Sequence, residues 1–206
     1  YDADGITSTS ILTLALRRLG GNVDYYIPAR ETEGYGLNNQ AIINLAKQGV
    51  EVLLTCDNGI SAAEQVALAK ELGMTVVIAD HHEVPFIETE KGIQYILPAA
   101  DAIINPKQAD CSYPFKSLCA ATIAYKMTEC LYRLAQKDWQ QDQLEYLSLS
   151  TVATICDIMD LVDENRAMAK YGLSMLQQTP NIGLQALLEV NGLLNKKLGT
   201  YHIGFI

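Results

Sequence analysis

Three groups of acidic and imidazole side chains carry the residue types that bind metal ions. Asp2 and Asp4 lie at the start of the chain, Asp57 follows in Cys56-Asp57-Asn58-Gly59, and Asp80-His81-His82 forms the third group. Carboxylates mixed with imidazole suit Mn²⁺, Mg²⁺ or Zn²⁺; the oxygen majority favours the first two, and a histidine ligand favours Mn²⁺ over Mg²⁺. A carboxylate between two such groups can bridge two ions about 3.5–4 Å apart, the spacing of metal-assisted phosphoester hydrolysis.

The predicted elements bring the last two groups together. Glu51 to Cys56 is predicted as a buried strand that ends just before Asp57, and Thr75 to Ala79 as a buried strand that ends just before Asp80. Apolar strands that alternate with helices indicate a doubly wound, mostly parallel α/β sheet. Sites in such sheets form beyond the carboxyl ends of the strands. Asp2 and Asp4 are expected at the same edge, in a turn between an upstream strand and the first helix.

The rest of the chain separates into two parts. In residues 1–115, the α/β metal-binding core, the hydrophobic pattern predicts helices over Thr7–Leu19, Leu37–Lys47 and Ser61–Leu72, and further strands over Val23–Ile27 and Ala102–Ile104. Residues 116–206 are predicted to be a helical extension, with helices over Leu118–Gln136, Gln143–Ile155, Arg166–Gln177 and Ile182–Glu189.

Each of the three groups also has an ordinary structural interpretation. A single Asp-x-Asp is more often a turn or a helix cap than a pair of ligands, Asp-Asn-Gly is first of all a turn, and a His-His pair on a loop is usually solvated. Packing alone does not readily place acidic groups at three successive strand ends. The coincidence therefore favours a metal site.

Composition narrows the function classes. The 206 residues are 49% hydrophobic with a formal net charge of −9, which argues against binding nucleic acid by bulk charge but not against a polyanionic substrate reached through metal ions. No apolar run approaches the roughly 18 residues of a membrane span. The five cysteines are widely spaced and form no Cys-x-x-Cys pair, so we expect neither a disulfide framework nor a thiolate zinc site, and a reducing, cytoplasmic location.

The ends of the sequence suggest a piece of a longer protein. Residue 1 is Tyr rather than Met, and Asp2-Ala3-Asp4-Gly5 follows without the apolar strand expected before such a loop. The sequence stops at Gly204-Phe205-Ile206 without a polar tail.

The sequence contains Tyr1-Asp2-Ala3-Asp4-Gly5, then Asp57-Asn58-Gly59-Ile60, then Asp80-His81-His82. With these and further segments in the same order, it resembles the DHH phosphoesterase superfamily and, within it, the RecJ-type exonucleases. Asp80-His81-His82 is similar to the motif that names the superfamily, and the resemblance extends over essentially the whole chain. The segments that carry it are Tyr1-Asp2-Ala3-Asp4-Gly5-Ile6-Thr7-Ser8, Ile27-Pro28-Ala29-Arg30, Glu33-Gly34-Tyr35-Gly36-Leu37, Asp57-Asn58-Gly59-Ile60, Asn105-Pro106-Lys107, Tyr113-Pro114-Phe115, Ala153-Thr154-Ile155-Cys156-Asp157 and Glu164-Asn165-Arg166.

The resemblance implies a role for each matching residue. Asp2 and Asp4 would each bind one of two Mn²⁺ or Mg²⁺ ions, Asp57 would bridge them, and His81 and Asp157 would complete the second site. The catalytic pair would be Asp80, which orients an imidazole, and His82, which faces the scissile phosphate.

The resemblance also implies an activity and a substrate. It indicates 5′→3′ exonuclease hydrolysis of single-stranded DNA in recombination and repair, with a helicase and a single-strand-binding protein as partners and no membrane. Arg30, Asn58 and Lys107 are the candidate substrate-binding residues, although Arg30 is as readily a surface arginine paired with Glu31 or Glu33. Two alternatives remain: a DHH enzyme acting on short oligonucleotides or cyclic dinucleotides, and a non-catalytic DHH replication scaffold.

The chain departs from the RecJ-type pattern in two respects. Ala120 and Thr122 stand where such chains usually carry glycines, which puts close phosphate contact at that loop in doubt. The family's first metal motif begins upstream of Tyr1, so we expect at least one further acidic or imidazole ligand before this residue. We likewise expect the second, DHHA1-type domain beyond Ile206.

Overall fold

A three-stranded parallel sheet lies in the first of two structural units of the computed structural model, which describes residues 1–205. Its strands are β1 (Val52–Cys56), β2 (Thr75–Ala79) and β5 (Ala102–Ile104), in the order β1-β2-β5. The register pairs Cys56 with Ala79 and Ala79 with Ile104, so all three strands end at the same level. The α/β fold with a parallel sheet, predicted from the sequence, is confirmed.

Two helices cover this sheet. They are α2 (Asn39–Lys47) and α3 (Ala63–Glu71). Asn38 caps the N-terminus of α2, where its side-chain oxygen accepts a hydrogen bond from the Ala41 amide at 2.8 Å. Their apolar side chains pack with those of β2 into one buried cluster, formed by Ile42, Val66, Ala69, Met74, Val76 and Ile78. This core stabilises the strands whose ends carry the candidate site.

The sequence analysis missed a β-hairpin in the same unit. Strands β3 (Phe86–Thr89) and β4 (Gly92–Tyr95) pair antiparallel, and all eight of their residues are exposed. Alternation of buried and exposed side chains is the usual signal of a strand, and this hairpin lacks it.

The second unit is helical and includes the first helix of the chain. Its described residues are 2–25 and 117–205, and α1 (Ala3–Arg18) packs against α4 (Ala120–Leu134) and α5 (Gln143–Cys156). Its described elements are α1 (Ala3–Arg18), α4 (Ala120–Leu134), α5 (Gln143–Cys156), α6 (Asp163–Met175), a 3₁₀ turn (Leu176–Gln178), α7 (Ile182–Val190) and α8 (Thr200–Gly204). The division of the chain at residue 115 into two domains stays a prediction.

Three local predictions were wrong. The helix predicted from Thr7 begins at Ala3, because the Asp2 side chain accepts the Gly5 amide at 2.9 Å and caps it. Val23–Ile27 is not a strand in the described structure; a β-prone sequence without a neighbouring ladder does not form one. Strand β1, predicted as buried, is only partly buried, because it has a neighbour in the described sheet on one side only.

Among the described residues, no helix combines the length and the apolar character needed to cross a membrane.

The crossing of α5 and α6 depends on a glycine. A Cβ added to Gly172 would lie 1.7 Å from Thr151 Oγ1 and 2.7 Å from Thr151 Cβ, and both residues are buried. The two helices can therefore approach this closely only without a side chain at position 172.

We expect Gly172→Ala to lower the free energy of unfolding by about 2–3 kcal/mol, because the helices must separate to accommodate the methyl group. Gly204→Ala is the matched control: Gly204 also lies in a helix, and nothing would come within 4 Å of its added Cβ. Urea denaturation of both variants measures the difference. Equal stabilities would contradict the close-packing interpretation.

An ion pair joins α3 to the start of β5. The Asp101 carboxylate accepts hydrogen bonds from Lys70 Nζ at 2.6 Å and from the Val76 amide at 2.7 Å. The pKa of Asp101 lies below its ordinary value, first because of the Lys70 hydrogen bond and then because of the Val76 amide. A carboxyl group whose folded pKa is lowered contributes stability above its unfolded pKa and loses it as the pH falls through the folded value.

We therefore expect Asp101→Asn to lower the melting temperature at pH 7, and the difference from the parent protein to shrink as the pH falls below about 4. Melting curves between pH 3 and pH 7 measure this. A difference that stays constant over this range would contradict the role of the carboxylate charge.

Candidate metal centre

The candidate site lies at the carboxyl ends of the three parallel strands. Asp57 follows β1, Asp80 follows β2 and Asn105 follows β5. The ladder continues one residue past the strands, since the Asp57 amide donates to the Ala79 carbonyl at 3.1 Å and the Asp80 amide donates to the Ile104 carbonyl at 3.0 Å. Backbone hydrogen bonds therefore fix where both aspartates leave the sheet.

The turn after β1 holds Asp57 in a strained conformation. Its φ of 59° lies in the left-handed region, which a residue other than glycine rarely adopts. Gly59 has φ of 114°, and a Cβ there would lie 2.7 Å from Thr55 Oγ1. Backbone strain of this kind occurs preferentially at functional sites, where the surrounding structure maintains it.

Three potential ligands converge beside this turn. Asp57, His81 and His82 each offer one ligand atom, and these atoms lie within 4.8 Å of one another. His81 Nε2 is 3.1 Å from Asp57 Oδ1, and the two imidazole rings are 4.5 Å apart. Asp57 and His81 are buried. An oxygen ligand beside imidazole nitrogens fits Mn²⁺ and related divalent ions.

Asn58, the neighbour of Asp57, adds a second observation. Its side-chain amide donates to the Cys56 carbonyl at 3.0 Å, whereas its Oδ1 atom is buried without a hydrogen-bond partner among the described residues. A buried acceptor without a donor is unfavourable in the protein alone. This acceptor is therefore available to a bound ion, water or substrate.

Asp80 organises the residues around it. It is 1% exposed, and its carboxylate accepts the Ile60 amide at 2.9 Å, the His81 amide at 2.7 Å and His82 Nδ1 at 2.7 Å. Burial raises the pKa of Asp80, but the hydrogen bonds from His82 and Ile60 outweigh it, so the pKa lies below its ordinary value. Because a carboxylate only accepts, Nδ1 carries the proton in the His82 pair.

A row of aromatic side chains lies next to His82. Its ring meets Tyr35 edge to face at 6.5 Å, Tyr35 meets Tyr1 in the same way at 5.5 Å, and the Arg30 guanidinium lies 4.6 Å from the centre of the Tyr1 ring. Glu33 accepts hydrogen bonds from Tyr26 and from the Ala29 amide. Arg30 thus lies over an aromatic ring, and its role in substrate binding, like the alternative of a surface pair with Glu31 or Glu33, stays a prediction.

The remaining candidate for substrate binding is already engaged in an ion pair. Lys107 Nζ lies 2.9 Å from Glu83 Oε1. The pair joins the segment after β5 to the segment after β2. Glu83 is mostly exposed, so solvent screens this attraction.

The sequence analysis gave no role to Asn105, which lies beside His82 in the structure. Asn105 is buried, and its side-chain amide donates to the His82 carbonyl at 2.9 Å. The available signal was its position: Asn105 directly follows the third parallel strand, as Asp57 and Asp80 follow the other two.

Asp2, Asp4 and Asp157 lie in the helical unit. Asp2 caps α1 and Asp4 lies in its first turn, so the expectation of a turn before the helix was wrong for Asp4. Asp157 ends α5 and is followed by Ile158 with φ of 54°, which is strained for a β-branched residue. Backbone strain is therefore found beside Asp157 as well as at Asp57.

Asp4 is held by the start of α4. It is 1% exposed, and its two carboxylate oxygens accept the Ala120 amide at 2.7 Å and the Ala121 amide at 2.8 Å. These amides are the unpaired donors of a helix N-terminus, where negative charge is favoured. The sequence analysis expected close phosphate contact in the segment around Ala120 and Thr122 to be in doubt; in this chain the amides of that segment hold the Asp4 carboxylate. Thr122 is buried beside Ser150, with 3.0 Å between their hydroxyl oxygens.

We expect Asp80→Asn to lower the free energy of unfolding by about 2–3 kcal/mol, because the NH₂ group of an amide would replace one oxygen that now accepts N–H donors. Asp110→Asn is the matched control, since Asp110 is exposed in the same unit. Urea denaturation without metal measures both variants. Comparable stability of the two would contradict the structural role given to the buried carboxylate.

Comparison with known proteins places this geometry in a family. The sequence model of the DHH family, N-terminal domain, matches residues 1–154. The single-stranded-DNA-specific exonuclease RecJ of Bacillus subtilis (strain 168) is 41% identical over 192 residues, covering 93% of this chain and 22% of that protein. The RecJ of Escherichia coli (strain K12) is 35% identical over 215 residues, covering 100% of this chain and 36% of that protein.

Solved structures show the same fold. A crystal structure of exonuclease RecJ bound to manganese matches with a TM-score of 0.83 and 29% identity, covering all of this chain and 48% of that one. RecJ from Thermus thermophilus in complex with Mn²⁺ matches with a TM-score of 0.76 and 26% identity, covering all of this chain and 27% of that one. The chain thus spans less than half the length of these relatives. On the family model and the strand-end site together, the chain belongs to the DHH family.

Proposed function

We propose that this chain is the metal-binding part of a RecJ-type exonuclease that hydrolyses single-stranded DNA from its 5′ end. The observation that carries the proposal is the convergence of Asp57, His81 and His82 at the strand ends, in a chain of the DHH family. The RecJ relatives are single-stranded-DNA-specific exonucleases by name, and two solved relatives contain manganese.

We assign the metal ligands as follows. Asp57 and His81 bind metal through the facing atoms Oδ1 and Nε2. Asp2, Asp4 and Asp157 are assigned as further ligands of a two-ion centre on the family resemblance. When bound at these residues, two Mn²⁺ or Mg²⁺ ions would supply Lewis-acid stabilisation of the phosphate and would lower the pKa of the attacking water.

The chain's own residues position the substrate and stabilise charge. His82 donates its Nδ1–H to Asp80. In its doubly protonated form the ring would also offer an Nε2–H donor to the phosphate oxygens, where it would stabilise developing negative charge. Arg30, Asn58 and Lys107 are assigned to DNA contact. For Lys107 this requires release of Glu83, which is exposed.

The negative charge of the chain fits this division of tasks. A chain with a net charge of −9 repels DNA at long range. Divalent ions held at these carboxylates would reverse the sign of the local electrostatic potential where the phosphate binds. Recombination and repair, a cytoplasmic location, and cooperation with a helicase and a single-strand-binding protein belong to the same proposal, since such an enzyme needs single strands to act on.

The direct test is degradation of labelled nucleic acids with Mn²⁺. The protein is compared on single-stranded DNA labelled at the 5′ or the 3′ end, on duplex DNA and on a dinucleotide. We expect single-stranded DNA to be degraded, with immediate release of the 5′ label as mononucleotide. Degradation of the dinucleotide alone would overturn the proposal, and immediate release of the 3′ label would overturn the polarity.

We expect Asp57→Asn to weaken Mn²⁺ binding and to lower nuclease activity, each by at least about 10²-fold, because loss of a ligand costs more than loss of a residue that supports one. Asn tolerates the left-handed conformation of this position, so the fold is retained. Calorimetric Mn²⁺ titration and the nuclease assay measure the two effects.

Asp24→Asn is the control for charge, since the Asp24 side chain is 91% exposed. We expect it to retain both properties. Unchanged Mn²⁺ affinity in Asp57→Asn would contradict the assignment of Asp57 as a ligand.

A further inference from the structure

Asn105 uses its side chain on two segments at once. It is 2% exposed at the end of β5; its Nδ2 donates to the His82 carbonyl at 2.9 Å, and its Oδ1 accepts the Lys107 amide at 2.8 Å. A carbonyl needs a donor and an amide N–H needs an acceptor, so these partners determine the orientation of the Asn105 amide. Among side chains of this size, only asparagine satisfies both partners.

Asn105 contacts the backbone of His82, whereas Asp80 contacts its imidazole ring. Asp80 Oδ1 holds His82 Nδ1 at 2.7 Å, and the Ile60 amide in turn holds Asp80 Oδ2 at 2.9 Å. His82 is thus held at two points. Asp80, after β2, holds its ring, and Asn105, after β5, holds its backbone carbonyl. The His82 side chain is 42% exposed, so packing alone does not fix its ring.

A second link between the same segments is weaker. Lys107 Nζ and Glu83 Oε1 lie 2.9 Å apart, but the Glu83 side chain is 84% exposed, and exposed ion pairs contribute little. The buried Asn105 hydrogen bonds are shielded from water and therefore maintain the geometry more effectively.

We propose that Asn105 is a positioning residue for His82: by holding the His82 carbonyl, it keeps the imidazole in the orientation that Asp80 then locks. The catalytic consequence rests on the proposed nuclease function, whereas the effect on His82 geometry does not. Loss of the donor frees the His82 backbone, so the ring samples several orientations and fewer of them support the reaction.

The decisive variant is Asn105→Asp, which keeps the shape and the acceptor for the Lys107 amide and replaces the donor to His82 with a carboxylate oxygen, at the cost of a buried negative charge. Asn105→Ala, which removes both, is the second variant in case Asn105→Asp does not fold. Asn181→Ala is the matched control: Asn181 also uses both ends of its amide, donating to Glu145 Oε1 at 2.9 Å and accepting the Leu184 amide at 3.0 Å, in the helical unit.

Two measurements go beyond stability. The chain has three histidines, so ¹⁵N-histidine NMR with Mg²⁺ resolves the ring nitrogens of His82. We expect both Asn105 variants to shift or broaden the His82 signals and Asn181→Ala to leave them unchanged. In the nuclease assay we expect Asn105→Asp to lower kcat by about 10–100-fold with KM changed little, the usual cost of losing a residue that supports an active-site group.

The outcomes separate the proposals. Unchanged His82 signals in both Asn105 variants overturn the positioning role, as does a loss of kcat no larger than that of Asn181→Ala at equal melting temperature. If the parent protein cleaves no DNA, the proposed function fails, and the NMR comparison alone decides the role of Asn105.

Discussion

A buried carboxylate at the end of the central strand organises the site. Asp80 has almost no exposed surface, and removing a charged group from water is costly unless hydrogen bonds replace the lost solvation. The donors come from three places: the Ile60 amide after the β1 turn, the two amides that follow Asp80, and the His82 ring. Satisfying this one charge therefore determines the path of the Asp57–Ile60 turn and the orientation of His82.

Strain accompanies this organisation. Asp57 adopts a left-handed conformation, and so does Ile158 directly after Asp157. Such conformations cost about 1–3 kcal/mol each and persist only where the surrounding packing maintains them. At Asp57 that support is visible, since Gly59 leaves room for Thr55 and the Asp57 amide bonds to the Ala79 carbonyl. The chain is thus less stable than it could be at Asp57 and directly after Asp157, two residues proposed as metal ligands.

The helical unit treats its own buried carboxylate in a similar way. The Asp4 carboxylate accepts hydrogen bonds from the first amides of α4. Here a helix N-terminus supplies the donors, whereas Asp80 receives them from loop amides and the His82 ring. Behind that terminus, Thr122 approaches the hydroxyls of Ser150 and Thr154, all three residues buried. The Ala120 amide thus supports Asp4, and the Thr122 side chain packs against Ser150 and Thr154. These contacts account for alanine and threonine at positions where RecJ-type chains usually carry glycines.

The sequence by itself determined the positions of the three parallel strands and of the polar residues that directly follow them. Parallel strands have a strong apolar signal, and the residues that follow them must lie at one edge of the sheet. Thr75–Ala79 and the aspartate after it are predicted without any structure. The hairpin over Phe86–Tyr95, the start of α1 at Ala3 and the absence of a strand at Val23–Ile27 were not predictable, because pairing partners and a side-chain cap decided them. The tertiary structure alone decided that Asn105 reaches the His82 carbonyl and that Asp4 is held by α4, since both contacts join segments distant in sequence whose register only the folded backbone fixes.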